Sequence, residues 1–463
     1  MKSVFSSLVI LLACPCLLAQ GPLVPPAGPP APGMKTLDQI ATLAEAGADA
    51  RTIIGDPGGF YTISASGSYR LASNRVAPAG NVSIIVNAPD VVIDLNGFTI
   101  SAGGAGARGI ETNSGARRLT VRNGTITGCA GAIDGTGTAG AEILHIENVK
   151  AIDCTAVVFR VPANSLISNC QIRGVAGTTT AVSAAANCEV RGVRVNLVNG
   201  YGISAGANSV VEGCSVHGAT FHSIAAGAGA LIDRCEVTGM TNSGNFHAIS
   251  AGQESSILNS VARGNVAIFG IYADDNSTIQ GCVSSGNTSP SGASYGIFAG
   301  DSSTVLNCTA SGNLSTNASP GQQGGAGFAI SDGTVVRNCT ATGNRGAGIW
   351  IQGKGSYIAD NALSNNGLGA GAVGAGLALG NVATRNRIEG NSAIGNRAGF
   401  LVLAGSIQNF FVRNTAGGNV VNWSIISGNY VAPITSAVSS PDINGSTGGT
   451  PFSSADPNAN FSL

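Results

Sequence analysis

The sequence predicts an all-β fold: a single-stranded parallel β-helix of about 14 to 16 coils behind a short helical cap. Three observations predict it. One motif occurs as IQGCVSSGN at Ile279–Asn287, VLNCTASGN at Val305–Asn313 and VRNCTATGN at Val336–Asn344. A second, usually Gly-Ile and mostly after a ring or small residue (Arg108 in the first copy), ends at Ile110, Ile203, Ile224, Ile249, Ile271, Ile297, Ile349 and Phe400. Weaker copies at Ile133, Val158, Val182, Phe328, Leu377 and Val421 bring the period close to 24 residues. Third, each unit holds three apolar or β-branched stretches too short for helices, punctuated by Gly, Asn, Ser and Asp; Phe269–Thr288 carries GIYA, STIQ and CVSS. Three strands per coil, stacked on the same three of the next, satisfy their backbones between coils about 4.8 Å apart.

The elements follow in chain order. Residues 1–19 read as an export signal: a lysine, then the apolar run LVILLACPCLLA, shorter than the about 20 residues a membrane helix needs. Lipid anchoring at Cys14 is the alternative reading of LLAC. Residues 20–34 form a proline-rich linker. Residues 35–59 are the cap segment, with Leu37, Ile40, Leu43 and Ala44 at helical spacing. The β-helix is expected over 60–430, and an irregular tail over 431–463 beside the last coil.

Within a coil, alternation turns the Val or Ile of VxNC inward, gives the Asn or Gly the corner and starts the next strand at the Cys. Cys170, Cys214, Cys235, Cys282, Cys308 and Cys339 then share one column, which Val149, Val193, Ser260 and Ala362 continue. A position shared by Cys, Val, Ser and Ala is a small buried slot, not a metal ligand. Nine cysteines follow the signal. That number is odd, and a ladder of thiols acting as small hydrophobes is favoured over pairs such as Cys129–Cys154 or Cys214–Cys235. The Gly-Asn pairs are expected to supply left-handed corner backbone.

The repeats, with DVVIDLNGFTI at Asp90–Ile100, resemble the right-handed parallel β-helix proteins of the pectate-lyase-like superfamily. MKTLDQI at Met34–Ile40 and DPNANFSL at Asp456–Leu463 resemble the flanks of an exported, largely uncharacterised bacterial group within it. The resemblance implies right-handed coiling and a first-strand face that binds polysaccharide in the enzymes. It implies no catalytic residue. Of the polygalacturonase-like signatures only the Asp274-Asp275 pair is present, and the lyase-like Asp cluster with Arg-x-Pro-x-x-Arg is missing.

Function is therefore sought on the outward face. A chain with 24 acidic and 23 basic residues has no electrostatic footprint for nucleic acid. One residue past each Gly-Ile lies an outward column: Glu111, Asp134, Phe159, Ser183, Ser204, Ala225, Ser250, Tyr272, Phe298, Trp350 and Leu401. Tyr272, Phe298 and Trp350 are the candidate carbohydrate-binding strip. Glu111 and Asp134, with Arg108 beside them, are the candidate catalytic group: neighbouring carboxylates can separate their pKa values into an acid and a base. A second column, Tyr201, His222, His247, Phe269 and Tyr295, reads as a ring stack at the strand entrance. Its two histidines lack a third ligand, so no metal and no cofactor is expected. The functional expectation is an exported binding or scaffold protein that contacts polysaccharide. A polysaccharide lyase or glycoside hydrolase with an unrecognised site is the alternative. Oligomeric state is not legible.

Overall fold

A computed structural model describes residues 49–463 except 56–57, 138–140, 242–243, 245, 291–293, 317–323, 369–373, 381, 437–442 and 446–455. The export signal, the linker and the helix expected near 36–46 lie outside the described residues.

The chain winds into a parallel β-solenoid of about 16 coils. Three ladders run its length. The first passes from Tyr61–Ile63 to Ile443–Gly445 and the second from Thr52–Ile54 to Tyr430–Val431. The third starts at Arg75–Ala77 and ends at Ile434–Ser436. Strands of three to five residues suffice because each is paired on both sides and its inward apolar residue is sealed from water. In the first ladder the inward column is Ile110, Ile133, Phe159, Val182, Ile203, Ile224, Ile249, Ile271, Ile297, Phe328, Ile349, Leu377, Phe400 and Trp423, all buried.

Two members of that column correct the sequence reading. Phe159, expected outside, pairs with Ile133 and is fully buried, so Arg160 takes the outward position. Trp423, not Val421, follows Phe400 and stacks on it at 4.5 Å.

The corners are where the two repeat motifs meet. The glycines of Gly-Asn do adopt left-handed backbone, φ 61° at Gly286 and Gly312. Their asparagines do something else. The Nδ2 of Asn265, Asn287, Asn313, Asn344, Asn366, Asn396 and Asn419 each donates to the Oδ1 of the next, ending at Asn422, at 2.9–3.1 Å. Each interior Oδ1 also accepts a backbone N–H, and the second Nδ2 hydrogen goes to a carbonyl one coil back, as from Asn313 to Ser284. Both donors and both acceptor sites of a buried amide are thus used. Against this ladder lies the glycine of Gly-Ile: a Cβ at Gly296 would sit 2.4 Å from Asn313 Nδ2.

All nine cysteines among the described residues, the six of the column included, are buried and unbridged. The column runs on into asparagine. Cys282 N donates to Cys308 Sγ and Cys308 N to Cys339 Sγ, both at 3.4 Å, and Cys339 N then reaches Asn361 Oδ1 at 2.9 Å. Asn361, not Ala362, holds the slot. Burial pushes the thiols of Cys154 and Cys170 up to about 12, which keeps them protonated and inert.

The C-terminal tail is not irregular throughout. Asn460–Ser462 forms a strand inserted between Thr415–Gly417 and Ile434–Ser436, parallel to both. Asn460 continues the Asn361, Asn391, Asn414 amide ladder into it.

Candidate functional site

The outward column of the first ladder reads Glu111, Asp134, Arg160, Ser183, Ser204, Ala225, Ser250, Tyr272, Phe298, Ala329, Trp350, Ala378 and Leu401. It carries two unlike patches, with only small residues between them.

The first is ionic. Glu111 and Asp134 are register partners on adjacent coils. Arg108 Nη1 lies 2.7 Å from Glu111, and Arg160 Nη1 lies 3.2 Å from Asp134. Thr136 donates to Asp134 Oδ1 from its backbone N–H at 2.9 Å and from its hydroxyl at 2.8 Å. These groups line an open cavity of about 360 Å³. Burial pushes the Glu111 carboxyl above the usual carboxylate range; Arg108 opposes the shift and the Asp134 charge adds to it. Sequence reasoning found Glu111, Asp134 and Arg108 but missed Arg160. Its signal was the alternation of Phe159-Arg160-Val161.

The second patch is made of rings. Tyr272 and Phe298 lie 5.3 Å apart at 6°. Phe269 and Tyr295, placed by the sequence in a separate column, belong to the same raft: Phe269 stacks on Tyr295 at 5.4 Å and 5°, on Phe298 at 5.3 Å and on Tyr272 at 5.7 Å. Residues three apart on a strand share this face because Gly270 and Ile271 are both buried between them, a local break in alternation. Parallel rings in contact lie about 3.5–4 Å apart, so centroids at 5.3 Å mean an offset, like overlapping tiles. Part of each outer face stays open: Tyr272 and Phe298 are half-buried, while Tyr295 is covered. Trp350 stands two coils beyond Phe298, across Ala329, half-buried against Ala329 and Ala378. The raft continues toward the N-terminal end through His247, 4.6 Å from Tyr272, and His222. His247 N donates to His222 Nδ1 at 3.0 Å. Burial lowers the pKa of both histidines, that of His247 to about 3, so both are neutral. Among the described residues no group of three or more His, Cys, Asp or Glu could hold a metal.

The family described as right handed beta helix region matches residues 211–366 and 268–416. The chain is a right-handed parallel β-solenoid. No curated protein matches this β-helix chain. Among solved structures it is similar to the A-module of a mannuronan C-5 epimerase from Azotobacter vinelandii, with 16% identity, 86% of this chain and 94% of that one covered, and a TM-score of 0.40. A mannuronic acid specific polysaccharide family 6 lyase from human gut microbiota gives 12% identity, coverage of 73% and 81%, and a TM-score of 0.35. The catalytic domain of an α-1,3-glucanase gives 13%, 63% and 66%, and 0.27. Likeness at this level transfers no residue role to this chain. No helix among the described residues is long and apolar enough to cross a membrane.

Proposed function

We propose that this β-helix binds polysaccharide along the outward face of its first sheet, as a binding or scaffold module outside the cytoplasm. The observation that carries the reading is the tiled raft of Phe269, Tyr272, Tyr295 and Phe298 with Trp350 beyond it. Rings are 5% of the residues, and a cluster left half-open on a flat sheet offers apolar faces to the flat C–H faces of sugar rings. The apolar leader at residues 1–19 supports export. From Asp134 to Tyr272 the column climbs six coils, about 29 Å at the parallel-strand spacing, a length that suits a polymer. Affinity electrophoresis of the wild type and Trp350→Ala through gels holding neutral, acidic or cationic polysaccharides tests this. Retardation of the wild type by at least one polymer, and its loss in the variant, is expected. Equal mobility of both in every gel contradicts it.

The raised pKa of Glu111 beside Asp134 favours a second reading, glycosidic bond cleavage with Glu111 as proton donor, Asp134 as its partner carboxyl and Arg108 and Arg160 on an acidic sugar. A reducing-sugar and unsaturated-product assay on the polymer that binds tests it. Product formation abolished in Glu111→Gln supports cleavage; none from the wild type leaves binding as the function.

A further inference from the structure

The raft is bordered on one side by carboxylates. The two first-sheet strands that carry Tyr272 and Phe298 run into corners bearing aspartate, Asp274 and Asp275 after Tyr272 and Asp301 after Phe298, and Asp332 stands at the same corner one coil on. These corners stack. Asp301 N donates to Asp275 Oδ1 at 2.7 Å, Asp332 N to Asp301 Oδ1 at 3.0 Å, and Lys354 N to Asp332 Oδ1 at 3.0 Å. The row thus repeats at the coil spacing, about 4.8 Å. Each backbone bond uses one oxygen of its carboxylate. Asp332 turns its other oxygen to the Lys354 ammonium at 3.5 Å. Asp301 is exposed, and Asp274, Asp275 and Asp332 are half-exposed. The row and the rings share one field: burial raises the Tyr272 phenol, and the charges of Asp274 and Asp275 raise it further.

Four carboxylates against one ammonium, beside open aromatic faces, complement a cation. Both elements attract it, the carboxylates by charge and the rings by their quadrupole. An acidic polymer would meet repulsion along the whole row. Building on the polysaccharide reading above, we infer that the ring raft and the Asp275–Asp301–Asp332 row form one site for a cationic sugar polymer, one carrying a free amine on successive units. The flat faces of its sugars would lie on Tyr272, Phe298 and Trp350. Its ammonium groups on the edge that faces the row would meet the aspartates about once every second coil, since successive β-1,4 units alternate in facing and each is about as long as the coil spacing.

The test uses the full chain and three probes at pH 5.5, where the probes' amines are protonated: a β-1,4 glucosamine hexamer, its fully N-acetylated counterpart and a lysine hexamer. Calorimetry is expected to show the glucosamine hexamer binding at least tenfold tighter than either of the others, with the preference falling as salt is added. The double substitution Asp275→Asn, Asp301→Asn should erase that tenfold preference. Its amide Oδ1 can still accept the backbone N–H of the next coil, so the fold is preserved, as an unchanged far-UV spectrum will confirm. Lys354→Gln, an exposed change, should tighten glucosamine binding severalfold by removing the competing ammonium. Equal binding of the N-acetylated hexamer overturns the cationic inference and leaves the polysaccharide reading standing. Equal binding of the lysine hexamer shows that charge alone is recognised and overturns the sugar assignment. Failure of all three to bind, with retardation by another polymer in the gels, overturns this inference alone; failure in both experiments removes the polysaccharide reading as well.

Discussion

The ionic cluster at Glu111–Asp134 and the ring raft at Tyr272–Phe298 occupy the same outward column of the same sheet, yet they are held in place by different physics. In the ionic cluster each carboxylate is positioned by an arginine that is itself close to half exposed, 43% for both Arg108 and Arg160. Such pairs contribute little to stability because water competes for both partners. The raft is positioned by packing: Phe298 lies against Phe269, Tyr272, Tyr295 and the buried Ala329. The lesson is that a solenoid face tolerates charge at no structural gain, whereas rings on it belong partly to the fold. A ring there has to be tested for two roles at once.

The largest expected effect follows from that difference. Phe298→Ala should lower the unfolding free energy by about 2 kcal/mol, roughly half of a fully buried Phe→Ala change, as read by urea titration. An effect below about 0.5 kcal/mol would mean the raft is a surface ornament and the contrast fails. Trp350→Ala comes next. It should weaken polymer binding about tenfold, near 1.4 kcal/mol, with a smaller loss of stability, because Trp350 packs mainly on alanines. Loss of stability without loss of binding would make Trp350 part of the fold only.

A smaller effect comes from Glu111. Its folded pKa is raised, so between the unfolded and folded values the native state holds the extra proton. Stability should therefore be greatest below about pH 4.5 as far as this group is concerned, fall as pH rises through the window up to its folded pKa, and then level off. Glu111→Gln should remove that slope, measured by urea unfolding between pH 4 and 7. A slope of opposite sign would show that Arg108 outweighs burial. The smallest effect is Arg160→Ala, under about 1 kcal/mol in the same assay.

These two patches also mark where sequence was informative. The inward Ile column and its period were legible because a ring, then Gly, Ser or Ala, then Ile recurs in every copy from Ile203 to Ile297. Register failed where three apolar residues run together. Val157, Val158 and Phe159 all satisfy an inward position, and the one-residue slip hid Arg160. The raft was split into two columns because alternation puts residues three apart on opposite faces; only the buried Gly270–Ile271 step brings Phe269 and Tyr272 together. The amide ladders were missed for a different reason. An Asn after Gly reads as a turn former, and only stacking in three dimensions shows that its Nδ2 has a partner one coil on. The cysteine column can give way to Asn361 because the side chain there reaches the backbone N–H of the preceding coil, as the Cys339 thiol does at 3.4 Å and the Asn361 amide at 2.9 Å. The tail strand at Asn460–Ser462 pairs with residues nearly fifty positions earlier, a contact no local pattern encodes.

The claim that this face binds polysaccharide is tested most directly at Trp350 itself. The chain has two tryptophans, and Trp423 is fully buried, so acrylamide reaches only the half-buried Trp350. Fluorescence quenching by acrylamide should fall as a bound polymer covers Trp350, saturating with the polymer that retards the chain in gels. Quenching that stays unchanged while that polymer is bound would contradict the account and move the binding surface off the first sheet.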